Sequence, residues 1–413
     1  MTVDSAARRV VVTGLGVVTP IGQTVPEFWA GMQRGACGVS ELGGFPLDDL
    51  KILIAAQIKD FDPRARLKQF SRDKIILHAD RYAWFAAAAA DEAVKQSGLA
   101  IPMADPYRAA CIIGSGAGGL VTYENSYRDL FIHNKRATHP LTLIRIIGSS
   151  ASAHVGLEYG IKGPTFATCS ACSTAAHAIG VARDYIRHGL VDVAIAGASE
   201  SVINYGTMKA WQALHVLSPQ GCFPFARKRN GTVLSEGAGI LVLESLEHAK
   251  ARGAEVLAEL VGYGMTSDSR DMVNPDVEGP REAMRLALDD AGLAPASIDY
   301  LNAHGTATTI NDKNETNAIK ELFKDHAYKL AISSTKSMHG HPLGAGGGIE
   351  AVACVKAIGE GWVPPTIGLD EPDPDCDLDY VPNVGRSMKV TYAMSNSFAF
   401  GGLNAVLIFA PAP

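Results

Sequence analysis

Thr168-Cys169-Ser170-Ala171-Cys172-Ser173-Thr174-Ala175-Ala176-His177-Ala178-Ile179-Gly180 is the stretch on which the reading of this chain turns. An extended segment, residues 163–168, runs into an alanine-rich helix that continues to about His188. The thiol of Cys172 therefore falls at or next to a helix start, where unpaired N–H groups and the positive end of the dipole favour an anion. Such a thiol is expected to lose its proton more easily, and the thiolate is the nucleophile. The first expectation is an enzyme that carries an acyl group on sulfur. Cys169 and Cys172 also form a Cys-x-x-Cys, which fits a redox pair or half a zinc site. Zinc needs four ligands and the sequence holds no second Cys-x-x-Cys. A redox pair belongs to a much smaller fold. Two buried core thiols are the remaining alternative.

Working outward, residues 9–18 read as a buried strand, and Thr24 with Pro26 opens a helix through Met32. Residues 83–95 read as a helix stopped by Gly98, and residues 109–114 as a strand running into the glycine-rich 114–119. Strands follow at 191–196 and 233–243. A second cycle then begins: strand 255–264, helix 280–292, strand 300–303, helix 312–323, strand 330–334, helix 343–358, and strands 390–395 and 405–409. Each half carries one Ala/Gly-rich helix that looks buried all round, 172–188 and 343–358. The Pro- and Asp-rich stretch 369–379 reads as a surface loop. No flexible linker divides the halves, so one compact α/β unit is expected.

The chain has 413 residues, 47% hydrophobic and 19% charged, as expected of a soluble protein with a large core. A net charge of −6 argues against nucleic acid or an anionic membrane as the main partner. No run of about 18 apolar residues is present, so no membrane span is expected. The seven cysteines are widely spaced and odd in number, and no secretion signal opens the sequence; reduced thiols in the cytoplasm are expected.

Further candidates sit at strand ends, where loops aim side chains at a site. His304 lies in Asn302-Ala303-His304-Gly305-Thr306-Ala307-Thr308. His339 and His341 lie in Ser333-Ser334-Thr335-Lys336-Ser337-Met338-His339-Gly340-His341. Lys336 in so apolar a setting is costly to bury unless paired, and Glu350 on the following helix is a candidate partner. A satisfied core histidine is the ordinary alternative for each. Two glycine clusters invite a dinucleotide reading. In Gly14-Leu15-Gly16-Val17-Val18-Thr19 the third glycine is Thr19, and no ribose-binding acid follows 114–119, so no nucleotide cofactor is expected.

Together these motifs resemble the elongating β-ketoacyl-acyl-carrier-protein synthases. The matching pieces are Gly163-Pro164, Ala171-Cys172-Ser173 with His177-x-Ile179-Gly180, the His304 motif, Ser334 to His341, and Asn396-Ser397-Phe398-x-Phe400-Gly401-Gly402-x-Asn404. The resemblance implies a thiolase-like α/β fold: two similar halves packed as five layers, here 1–254 with the nucleophile and 255–413 with the histidines and lysine. It implies that Cys172 is acylated, that His304 and His341 act on a malonyl group, and that Lys336 supports them with Glu350. Asp312 and Glu315 match acids behind the site. Thr306, Thr308, Phe398 and Ala117 match substrate-binding positions. Phe400 matches a gate whose backbone N–H, with that of Cys172, forms an oxyanion hole. The implied reaction is decarboxylative Claisen condensation of malonyl-acyl-carrier-protein with the Cys172-bound acyl chain to give 3-oxoacyl-acyl-carrier-protein, without metal or cofactor. The implied assembly is a homodimer, or a heterodimer with a chain-length partner.

Histidine at 341 speaks against initiating synthases and against a thiolase using coenzyme A. The intact Cys172, His304, Lys336 and His341 speak against a carrier-binding scaffold. Departures include Ala399 between the aromatic gate residues, Leu403 after Gly402, Ala226 and Asn230, and Val273-Asn274 on the pantetheine path. Ala117 stands where a bulky aliphatic residue is frequent and implies a wider acyl pocket. These lean towards nodulation-type or polyene-type members.

Overall fold

The computed structural model describes residues 7–68, 70 and 76–413. Ten strands make up its main sheet: β1 (Val10–Val18), β2 (Ala109–Gly114), β3 (Thr165–Phe166), β4 (Val193–Ser201), β5 (Glu236–Ser245), β6 (Ala258–Ser267), β7 (Tyr300–Asn302), β8 (Ala331–Ser333), β9 (Ala393–Ala399) and β10 (Leu403–Pro411). Their order is β8-β7-β9-β10-β6-β1-β5-β4-β2-β3. The first five strands run β3-β2-β4-β5-β1 and the last five β8-β7-β9-β10-β6, the same order built twice. The directions repeat too. In each half the two outer pairings are parallel and the two inner ones antiparallel. The halves meet through β1 and β6, at Val11 opposite Glu259 and Val12 opposite Ala258.

Helices complete the layers: α1 (Val25–Gln33), α2 (Arg81–Ser97), α3 (Leu120–Phe131), α4 (Ser150–Tyr159), α5 (Thr174–Arg187), α6 (Tyr205–Ala213), α7 (Glu278–Ala291), α8 (Thr309–Phe323) and α9 (Gly346–Glu360). Helix α2 covers one outer face, against β1, β4 and β5; α7 covers the other, against β6 and β10, with α8 beside it. Helices α5 and α9 lie between the two half-sheets and touch each other. Their composition follows from that position. A β-carbon on Gly239 of β5 would lie 2.2 Å from the Gly348 backbone of α9, and one on Gly180 of α5 would lie 2.3 Å from the Tyr263 ring. Only glycine lets these surfaces touch. The central layer seals one apolar core, and each outer helix layer seals another.

The sequence expectations place every large strand, with ends that shift by a few residues. The strand expected at 191–196 runs on to Ser201, and the extended segment at 163–168 pairs over only two residues. Helices α3, α4 and α6 were not foreseen. Helix α3 has Gly119 as its N-cap, with no side-chain cap, and carries no buried residue; the available signal was Leu120, Tyr123, Tyr127 and Phe131 recurring at helical spacing. The 369–379 loop is irregular, as expected, but it buries Leu369, Cys376 and Leu378. No described helix is long and apolar enough to cross a membrane.

Candidate active site

The ends of the two half-sheets converge on a cavity of about 360 Å³. Cys172 reaches it from a single 3-10 turn, Ala171–Ser173, that precedes α5. Ala171 holds φ +47°, a left-handed conformation costing a non-glycine residue roughly 1–2 kcal/mol. Thr174 fixes it: its hydroxyl donates to the Ala171 carbonyl (2.7 Å) and accepts from the Ser170 N–H (2.9 Å). His304 follows β7, and Lys336 with His341 follows β8. His341 Nε2 lies 3.1 Å from Cys172 Sγ. The His304 and His341 rings meet edge to face, centroids 5.5 Å apart. One ligand-type atom from each of the three residues lies within 4.8 Å of the other two. The Nδ1 atoms of both histidines are buried without a partner among the described residues, and His341 turns its Nε2 to the Cys172 sulfur.

Burial pushes the Cys172 thiol up to about 12; Lys336 pulls it down, but Glu200 and Glu350 push it further up. His304 and His341 are held well below the usual histidine range, first by burial and then by Lys336. The site therefore holds a neutral thiol against neutral imidazoles. This corrects the expectation of a readily ionised sulfur. The cysteine sits in the turn ahead of the α-helix, and removal from water outweighs what a helix start supplies. The Cys-x-x-Cys is not a pair either: Cys169 and Cys172 are both free, and the Cys169 thiol faces the Gly116 carbonyl at 3.5 Å.

Behind the cavity, Lys336 Nζ bonds Glu350 Oε1, with both groups excluded from solvent. Glu315 accepts from the His304 and Gly305 N–H groups, each at 2.8 Å, and from Asn396 Nδ2 at 3.1 Å. It thus ties the His304 loop to β9. Asp312 accepts from the Phe225 N–H (2.8 Å) and the Ala307 N–H (3.1 Å). Burial raises both acids, Asp312 to about 6 and Glu315 to about 7. Thr306 and Thr308 line the cavity, their hydroxyls 3.1 Å apart. Phe398 and Phe400 line it as well; the Phe398 ring centroid is 5.9 Å from His304, and Phe400 packs on Trp211 at 5.7 Å. Ala117 lies off this cavity, in the apolar cluster that surrounds the Cys172 side chain.

Three residues escaped the sequence reading. Glu200, buried at the end of β4, accepts from Ser115 Oγ (2.8 Å) and from the N–H groups of Gly116 (2.8 Å) and Gly344 (3.1 Å). It joins the glycine loop of one half to the approach to α9 in the other. A lone carboxylate closing a run of small and apolar residues was the available signal. Arg229, also buried, links Asp312 to Asp373 of the 369–379 loop. Trp211, on the unforeseen α6, seats the Phe400 ring.

The beta-ketoacyl synthase N-terminal domain matches residues 7–249 and its C-terminal domain residues 257–370. The chain belongs to the β-ketoacyl synthase family. Nodulation protein E of Rhizobium sp. (strain N33) is 45% identical over 402 residues, covering 97% of this chain and 99% of the relative. The 3-oxoacyl-[acyl-carrier-protein] synthase 2 of Coxiella burnetii is 43% identical over 409 residues, covering 97% and 98%. Among solved structures, the ishigamide ketosynthase/chain length factor superposes with a TM-score of 0.92 at 34% identity, covering 99% of this chain and all of that one. A type II polyketide ketosynthase in complex with its acyl-carrier protein superposes at 0.90 and 34% identity, covering 98% of this chain and 100% of the other. The fold is the thiolase-like ketosynthase fold, and the protein is an acyltransferase-type condensing enzyme of fatty-acid or polyketide chain elongation.

Proposed function

We propose that Cys172 takes the acyl chain from an acyl carrier protein and that His304 and His341 then drive decarboxylation of a malonyl carrier protein. The convergence of these three side chains on one cavity supports the reading most directly. In the first step Sγ attacks the thioester carbonyl. The thiol proton ends on the departing pantetheine sulfur, with His341 Nε2 in reach to relay it. In the second, loss of CO2 from the malonyl thioester leaves an enolate. Two neutral imidazole N–H groups meet its charge without carrying a formal charge of their own. The enolate carbon attacks the acyl-Cys172 carbonyl. The oxyanion that forms is assigned to the backbone N–H groups of Cys172 and Phe400, donors of a kind worth about 3 kcal/mol each. Collapse expels Cys172 as the thiolate, which takes up one proton from solvent to return to the thiol, and releases a 3-oxoacyl carrier protein.

Lys336 and Glu350 hold the floor of the site; Glu315 and Asp312 hold the His304 loop. Thr306 and Thr308 contact the pantetheine arm, beside Phe398. We place the division of labour at residues 1–254, with the nucleophile, and 255–413, with the histidines and lysine. The seven free cysteines suit the cytoplasm. A second copy of the chain is the proposed partner. Phe131 (75% exposed), Leu143 (72%) and Ile132 (59%) leave exposed apolar surface on and after α3, next to the start of α6. The mass of the purified protein in solution decides: a dimer supports the proposal, and a monomer that pairs only with a chain-length homologue replaces it. Defined acyl primers with malonyl carrier protein test the chemistry, the expected product being a 3-oxoacyl carrier protein two carbons longer than the primer. Absence of that product with every primer length would refute it.

A further inference from the structure

We infer that Cys172, His304 and His341 also form a binding site for a thiophilic divalent cation, zinc above all, and that loading it blocks the sulfur against acylation. This rests on the placement of the three side chains and not on the condensation reading. Their ligand atoms lie within 4.8 Å of one another, and His341 Nε2 is 3.1 Å from Cys172 Sγ. Around tetrahedral zinc, with bonds of about 2.3 Å to sulfur and 2.0–2.1 Å to nitrogen, neighbouring donors sit roughly 3.3–3.6 Å apart. The widest separation here therefore has to close by little more than about 1 Å, a side-chain rotation and not a backbone change.

The chemistry selects the ion. One thiolate and two imidazoles suit zinc, cobalt and their neighbours and not magnesium or calcium, which take oxygen ligands. Three protein ligands with a fourth position open to a cavity match the ligand count of catalytic zinc sites. The fourth position would take water. The route in favours a cation as well: the cavity lining includes Asp268 and Asp271 and no lysine or arginine. The nearest buried cation, Lys336, is paired with Glu350. Binding exchanges the thiol proton for the metal, Cys–SH plus M²⁺ giving Cys–S–M⁺ and a proton released to solvent, with no change of oxidation state. Metal and acyl group then compete for one sulfur. None of the other six cysteines joins a cluster of this kind among the described residues.

The test uses the full chain with its two exposed cysteines replaced, Cys37→Ser and Cys169→Ser. Cobalt(II) should add one equivalent and give the d–d bands of a four-coordinate ion with a thiolate-to-metal charge-transfer band. EDTA should abolish both, and Zn²⁺ should displace the cobalt. With Zn²⁺ at ten times its Kd, alkylation of Cys172 by iodoacetamide, followed at the peptide, should slow about tenfold. Cys172→Ser, close in shape to the native side chain, should lose the charge-transfer band, and His304→Ala and His341→Ala should each weaken protection. Zinc that leaves the alkylation rate unchanged would overturn the inference. So would a charge-transfer band that persists in Cys172→Ser, or protection that survives loss of both histidines. No carrier protein enters these measurements, so metal binding and condensation can fail independently of each other.

Discussion

Replacing Lys336 by methionine removes one buried charge while keeping most of the side chain's volume. Lys336 and Glu350 are 1% and 0% exposed, and their pairing crosses from the His341 turn to α9. Removing one partner of a buried pair costs about 3–5 kcal/mol, because the other charge is left uncompensated. Glu350 Oε2 already has no partner among the described residues, so nothing there replaces the ammonium. Removing both charges, Lys336→Met with Glu350→Leu, should recover most of that loss, giving a coupling of about 3 kcal/mol between the two sites. Urea midpoints of the wild type, both single variants and the double variant measure it.

Activity should respond differently from stability. Lys336 helps hold His304 and His341 below the ordinary histidine range, so they stay neutral into mildly acid solution. Without that cation both pKa values rise. A larger fraction of the imidazoles is then protonated at a given acid pH, and the acid limb of the kcat/KM profile moves to higher pH. The limb should move in Lys336→Met and stay moved in the double variant, even though the double variant regains stability. A single variant that loses less than about 1 kcal/mol, the worth of an exposed pair, would refute the energetic reasoning. An unmoved acid limb would refute the electrostatic one.

Cys172→Ala should abolish condensation yet still release CO2 from malonyl carrier protein through the two histidines; retained condensation would remove the proposed nucleophile. Ala117→Ile adds bulk to the apolar cluster around Cys172 and should shift the accepted primers to shorter chains. An unchanged chain-length profile would take position 117 out of the acyl path. Gly239→Ala places a methyl group 2.2 Å from the Gly348 backbone, and should cost more than about 4 kcal/mol and leave little soluble protein. Wild-type yield and melting temperature from that variant would contradict the close approach of β5 and α9.

Where the sequence spoke clearly, one residue type admitted one physical explanation. The glycines and alanines of 172–188 and 343–358 announced helices pressed between sheets, and that is the central layer. Lys336 in an apolar run asked for a buried partner, and Glu350 fourteen residues on supplies it. The repeated strand order was visible as a pattern before any pairing was known. Helix α3 has no start signal beyond Gly119, and its stripe of Leu120, Tyr123, Tyr127 and Phe131 lies on the surface and not in the core; the apolar surface around Phe131 went unread with it. Glu200 and Arg229 stayed hidden because their partners, Gly344 and Asp373, lie 144 residues away in each case. The acidity of Cys172 was misjudged for a related reason. Local sequence shows a helix start but not how much protein covers the sulfur, and coverage decides the balance.

The proposed chemistry depends on where the acyl group rests between its two substrates. Intact-protein and peptide mass measurement after mixing with an acyl carrier protein thioester should show one added acyl group, on Cys172, that disappears once malonyl carrier protein is supplied. Acyl transfer to another residue, or product formed while Cys172 stays unmodified throughout, would contradict it.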